Sequence, residues 1–121
     1  MDFFQRLYAR QVKWQHEYYE RLNRVPKTQQ ESDKIVLENL DHAIEEVVEA
    51  RREIHVRKQW NPKKMDRAMT REERFKCAEE IIDVMFFLFT SLIYLGLSYG
   101  DIQDVLRDKM NYNETREDHQ V

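Results

Sequence analysis

Apolar residues recur at three- and four-residue spacing along most of this chain, and that period predicts helices. Phe4, Leu7, Tyr8, Val12, Trp14, Tyr18, Tyr19 and Leu22 form a ragged stripe over residues 3–22. Pro26 bars easy continuation, and residues 24–32 read as a polar loop. Ser32 or Asp33 is the expected cap of a second helix, with Leu37, Leu40, Ile44, Val47 and Val48 as its apolar stripe, running to about residue 56. The period then breaks. Residues 57–70 carry Trp60-Asn61-Pro62 among Arg57, Lys58, Lys63, Lys64 and Arg67, and read as a loop with at most one short turn of helix. Thr70 and Glu73 make a capping box that opens a third helix, which runs to residue 95 and stops at Gly96. Ser98 and Asp101 repeat the device for a fourth helix through about residue 112.

The third helix is apolar almost all round, with eleven apolar residues among the sixteen of 79–94, and is expected to be buried. One narrow line departs from this: Lys76, Glu80, Asp83, Thr90 and Ser91. The second helix carries Glu45, Glu46, Glu49 and Glu53 on an arc opposite its apolar stripe. A stripe of one sign is unusual, because like charges one turn apart repel. An ionised carboxylate inside an apolar stretch needs a partner or a metal. Facing pairs Glu46/Glu49 and Glu80/Asp83, neutralised by divalent cations, meet both requirements. All-oxygen ligands suit Mg²⁺ or Mn²⁺ and do not suit zinc. Either acid pair alone is ordinary on an exposed helix; the combination carries the inference. A di-iron centre would need Glu-x-x-His, but Lys13, Asn39, Arg52 and Arg116 stand three residues before His16, His42, His55 and His119.

Composition narrows the classes. A chain of 121 residues fits a single domain over 1–121, and two glycines with two prolines are too few for a turn-rich sheet fold. The expected fold is an all-α, four-helix antiparallel bundle. A net charge of −3 with 36% charged residues gives no broad basic field for nucleic acid, and no apolar run is long enough for a membrane span. The single cysteine, Cys77, and the absence of a leader-like opening fit a cytoplasmic setting.

Carboxylate-bound Mg²⁺ is a common clamp for phosphoryl groups, and a triphosphate also needs cations from the protein. Lys109, Asn113 and Arg116 share one face at the end of the fourth helix, although cations at a helix C-terminus also have a dipole explanation. The basic segment from Arg57 to Arg67 is a second source. Trp14, Trp60 and Phe87 are candidates for the flat apolar wall that a base needs.

Together, Glu45-Glu46-x-x-Glu49 followed by Glu80-x-x-Asp83 resembles the motif of the all-α nucleoside triphosphate pyrophosphatases, the MazG-like and dimeric dUTPase superfamily. RQVKWQ (10–15), RREIHVRKQW (51–60) and KMNYNETR (109–116) look similar to further family segments, in the family's order along nearly the whole chain. The resemblance implies a Mg²⁺-dependent enzyme that splits a nucleoside triphosphate, with dUTP as the leading candidate, into monophosphate and pyrophosphate. It implies Glu46, Glu49, Glu80 and Asp83 as metal ligands, and Glu46 or Glu45 as the group that orients or deprotonates water. It implies Lys109, Asn113 and Arg116 at the phosphates, and Gln11 or Gln15 with Trp60 near the nucleoside. It also implies a module that pairs as a homodimer or homotetramer. The competing expectations are a pyrophosphatase for dCTP or for general or modified nucleotides, and a non-enzymatic helical adaptor whose acid stripes bind a basic partner.

Overall fold

Each helix begins where a short polar side chain can satisfy free backbone amides. The computed structural model describes residues 2–54, 56–58 and 60–115, with Lys58 and Pro62 described by their backbone alone. Its elements are α1 (Phe3–Arg21), α2 (Gln29–Arg52), β1 (Arg57–Lys58), β2 (Asn61–Met65), α3 (Arg71–Ile93) and α4 (Tyr99–Thr115). Asp2 and Gln5 form a capping box for α1, with bonds of 2.7 and 3.1 Å. Thr70 and Glu73 do the same for α3, at 3.2 and 2.8 Å, and Ser98 with Asp101 open α4 at 3.1 Å each way. The chain is all-α in character, with four helices among the described residues.

The α2 helix starts earlier than expected. Thr28 Oγ1 accepts from the Glu31 amide at 3.1 Å, and the Glu31 carboxylate accepts from the Lys27 amide at 2.6 Å. This upstream pair wins because it satisfies two amides, and Ser32 and Asp33 fall inside the helix. After Ile93 the chain reverses at Gly96, whose φ of +80° is open to glycine at little cost. A Cβ there would also collide with the Gln29 side chain.

The β1 and β2 strands pair antiparallel where a loop was expected, with Arg57 opposite Met65 and Lys58 opposite Asn61. The root of this hairpin is fixed by Val56, only 2% exposed, whose carbonyl accepts from the Asp66 amide at 2.6 Å. No alternation of apolar residues announces these strands, because β2 is polar on both faces.

The α2 and α3 helices make the closest pairing in the molecule and run antiparallel. Gln29, at the start of α2, donates to the carbonyl of Tyr94 at the end of α3, while Glu46 lies beside Glu80. The buried face of α2 is Ile35, Asn39, Ala43 and Ala50. That corrects the expected core stripe: Leu37 and Ile44 are 60% and 64% exposed, and Leu40, Val47 and Val48 are exposed with them. The two faces lie roughly 130° apart round the helix. Small residues face α3 because the helices approach closely there, and the large apolar ones are left outside. The expectation that α3 is buried all round fails for the same reason, since Ile81, Ile82, Met85 and Leu88 stay about half exposed among the described residues. The α1 helix lies over the C-terminal half of α3, through Phe4–Phe89 and Tyr19–Tyr94 ring contacts of 5.5 and 5.6 Å. The α4 helix is held at its first turns by Tyr99, against Phe4 and Tyr8, and by buried Ile102.

Candidate metal and nucleotide site

Glu46 lies on the same face of α2 as Asn39 and Ala43, so it turns toward α3. Glu80 and Asp83 lie three residues apart on α3 and turn back toward it. One carboxylate oxygen from each of Glu46, Glu80 and Asp83 falls within 4.8 Å of the others. Asp83 is exposed, not buried in the apolar stretch, because the groove between the helices is open at that point. Glu49, one turn beyond Glu46, is also exposed and acts on the group through its charge. The Glu46 carboxyl is held above the usual range, first by partial burial and then by the charge of Glu49. The Glu80 carboxylate, a hydrogen-bond acceptor for protonated Glu46, adds to this, as do the charges of Glu80 and Asp83.

Among the described residues, no Lys or Arg lies within ion-pair distance of Glu46, Glu49, Glu80 or Asp83. Converging carboxylates with no cationic partner are a donor set that fits a hard divalent cation such as Mg²⁺ or Mn²⁺. Glu45 takes no part in the convergence. Its exposed carboxylate sits 3.7 Å from His42 Nδ1, and His42 in turn packs on Phe87.

Asp83 also lines a cavity of about 500 Å³ between α1, α2 and α3. Gln11, Trp14, Gln15, Asn39, Phe87 and Thr90 contribute to its wall. Gln11 Nε2 donates to Thr90 Oγ1 at 3.3 Å, and Thr90 donates to the Phe86 carbonyl at 3.0 Å. This chain pins the Gln11 amide through its nitrogen, and its oxygen has no hydrogen-bond partner among the described residues. Asn39 is fixed by its bond to the Ile35 carbonyl at 2.8 Å. Gln15 is only 7% exposed, and its side chain has no hydrogen-bond partner among the described residues. It also borders a smaller cavity of about 270 Å³ lined by Tyr18, Tyr19 and His42. Trp14 stacks on Tyr18 at 5.4 Å with 9° between the rings.

Thus Glu46, Glu80 and Asp83 come together, Glu49 flanks them, and Gln11 and Gln15 meet in the adjoining cavity. Trp60 stands on the hairpin, 73% exposed, and does not line that cavity. Trp14, Phe86 and Phe87 are the aromatic residues that do. Lys109 lines a different, apolar groove with Met85, Leu88 and Leu92, on a face of α3 roughly 140° round from Glu80 and Asp83. Asn113, one turn further along α4, shares its face, and Arg116 lies outside the described residues. Asn39 was not singled out from the sequence. Its signal was a lone amide in register with Ile35 and Ala43. Comparison of the chain with family models, curated proteins and solved structures returns no match.

Proposed function

We propose that this chain is a divalent-metal-dependent nucleoside triphosphate pyrophosphohydrolase of all-α, MazG-like architecture, acting on a dNTP, with dUTP as the leading substrate. The observation that supports the reading is the adjacency of two features through Asp83: a carboxylate group with no cationic partner among the described residues, and a cavity with aromatic walls onto which the Gln15 amide opens. Glu46, Glu49, Glu80 and Asp83 would hold Mg²⁺ or Mn²⁺, which when bound neutralises phosphate charge and activates water. Trp14 and Phe87 offer flat walls for a base, and the Gln11 and Gln15 amides offer hydrogen-bonding edges. Gln15 can rotate to present either edge, which keeps dCTP and other nucleotides as the second substrate class.

In the reaction, a water oxygen bonds to the α-phosphorus. The bond from that phosphorus to its bridging oxygen breaks, and the electron pair leaves with the diphosphate. The water proton passes to a carboxylate. Glu46 suits this role better than Glu45 by position, because it turns into the carboxylate group while Glu45 faces solvent beside His42.

A second copy of the chain belongs to the reading. The chain exposes 9631 Å², against about 7,000 Å² expected for a compact monomer of its mass. The excess, roughly 2,600 Å² per chain, is about 5,200 Å² over two chains, at the top of the range that obligate dimers bury. The large apolar residues left outside on α2 and α3, among them Leu37, Ile44, Ile81 and Ile82, are part of it. A homodimer, or a tetramer built from it, covers them. A pyrophosphate-release screen over all dNTPs and NTPs, with and without Mg²⁺, tests the activity. Release from one dNTP class only with the metal is the expected result, and no release from any nucleotide would overturn the reading.

A further inference from the structure

A triphosphate whose α-phosphorus sits at the carboxylates extends its outer phosphates away from them, where they need cations. Within one chain, Lys109 borders a groove on another face of α3, and Arg10 lines the cavity that Asp83 borders. The β1–β2 hairpin is on the right side. At its exit, Arg67 grips Glu73 with bonds of 2.8 and 3.2 Å, and Glu73 also caps α3. Glu73 and Glu80 are seven residues apart, so they share a face of α3 about 10 Å apart along its axis. At the hairpin's entry, Glu53 caps α2 seven residues beyond Glu46. Both legs of the hairpin therefore leave from the helix faces that carry the carboxylates, and buried Val56 anchors its root.

Arg67 is already neutralised by Glu73. Lys63 and Lys64 of β2 are different: both are exposed, and neither has a carboxylate within ion-pair distance among the described residues. A short cationic ribbon rooted about 10 Å along α3 from an anionic cluster has a natural bridging ligand, an extended anion carrying its own divalent cation. We propose that the hairpin holds the diphosphate portion of the substrate, through whichever of Lys63 and Lys64 faces the helices. Consecutive strand residues point to opposite sides, so one of the two carries most of the contact. The inference rests on the pyrophosphohydrolase reading.

The test is calorimetric titration with two probes, inorganic pyrophosphate and a dUTP analogue with a non-hydrolysable α,β-bridge, each with Mg²⁺, and with dUMP as control. The double variant Lys63→Gln/Lys64→Gln should bind both probes about ten- to a hundredfold more weakly, as for loss of one charge-assisted contact, and dUMP unchanged. One single variant should reproduce most of that loss, and the double arginine variant should restore affinity. An unchanged melting temperature shows that the fold is intact. If the double variant binds pyrophosphate as the wild type does while Lys109→Gln loses it, α4 holds the outer phosphates and the proposal falls. If the wild type releases pyrophosphate from a nucleotide but the double variant is unaffected in binding and kcat/KM, the hairpin inference alone fails. If the wild type binds neither probe, the functional reading fails with it.

Discussion

Replacing Gln15 by methionine keeps the volume of the side chain and removes its amide. In the free protein this residue is 7% exposed and its side chain has no hydrogen-bond partner among the described residues, but its amide atoms open onto the cavity. A fully buried, unpaired polar group costs about 1–3 kcal/mol, and an amide that reaches cavity water escapes most of that cost. Gln15→Met should therefore leave the stability of the free protein within about 1 kcal/mol of the wild type, or roughly 4 °C in melting temperature for a chain of this size. The same change should weaken binding of the preferred nucleotide by about ten- to a hundredfold, since a base edge loses its hydrogen bond. Differential scanning calorimetry without ligand, followed by kcat/KM on the best substrate, reads both effects. A melting temperature several degrees lower, with catalysis unchanged, would refute the reasoning, because it would make the amide a structural one.

Other changes test the remaining parts. Glu80→Gln should raise the melting temperature of the metal-free protein by relieving repulsion on Glu46, and should abolish both turnover and the stabilisation that millimolar Mg²⁺ gives the wild type. Ile44→Asp places a charge in the exposed apolar face of α2, and sedimentation should show a monomer where the wild type is a dimer or tetramer. The Glu73 carboxyl is held down at about 2 by its bonds from Arg67 and Thr70, against an ordinary value of 4.5. Its folded pKa is depressed, so its contribution is fully present above the unfolded value and is lost as pH falls toward 2. The stability gap between wild type and Glu73→Gln should therefore be constant above about pH 5 and close below it, as read from melting curves across acid pH.

Capping chemistry made two helices, α3 and α4, legible in the sequence. The α3 start at Thr70, its stop before Gly96 and the α4 start at Ser98 all follow from local hydrogen bonding that needs no tertiary partner. The acid pairs were legible because one-sign stripes at helical spacing conflict with simple solvation, and three of the four carboxylates converge. Burial was not legible. The large apolar residues of α2 marked a face that one chain leaves open, while the face that packs on α3 is made of alanines, Ile35 and an asparagine. Periodicity detects an apolar face but not which partner covers it. The hairpin was hidden for a related reason. Its described strand residues bury little, so they leave no alternation to read, and the buried Val56 and the Arg67–Glu73 pair hold its root.

The central claim is that water attacks the α-phosphorus of a nucleoside triphosphate at this carboxylate group. Hydrolysis of the best dNTP in ¹⁸O-labelled water with Mg²⁺, followed by ³¹P NMR, tests it most directly. The account predicts two products, nucleoside monophosphate carrying the label and unlabelled pyrophosphate. Label in pyrophosphate, inorganic phosphate as the first product, or no hydrolysis of any nucleotide would contradict it.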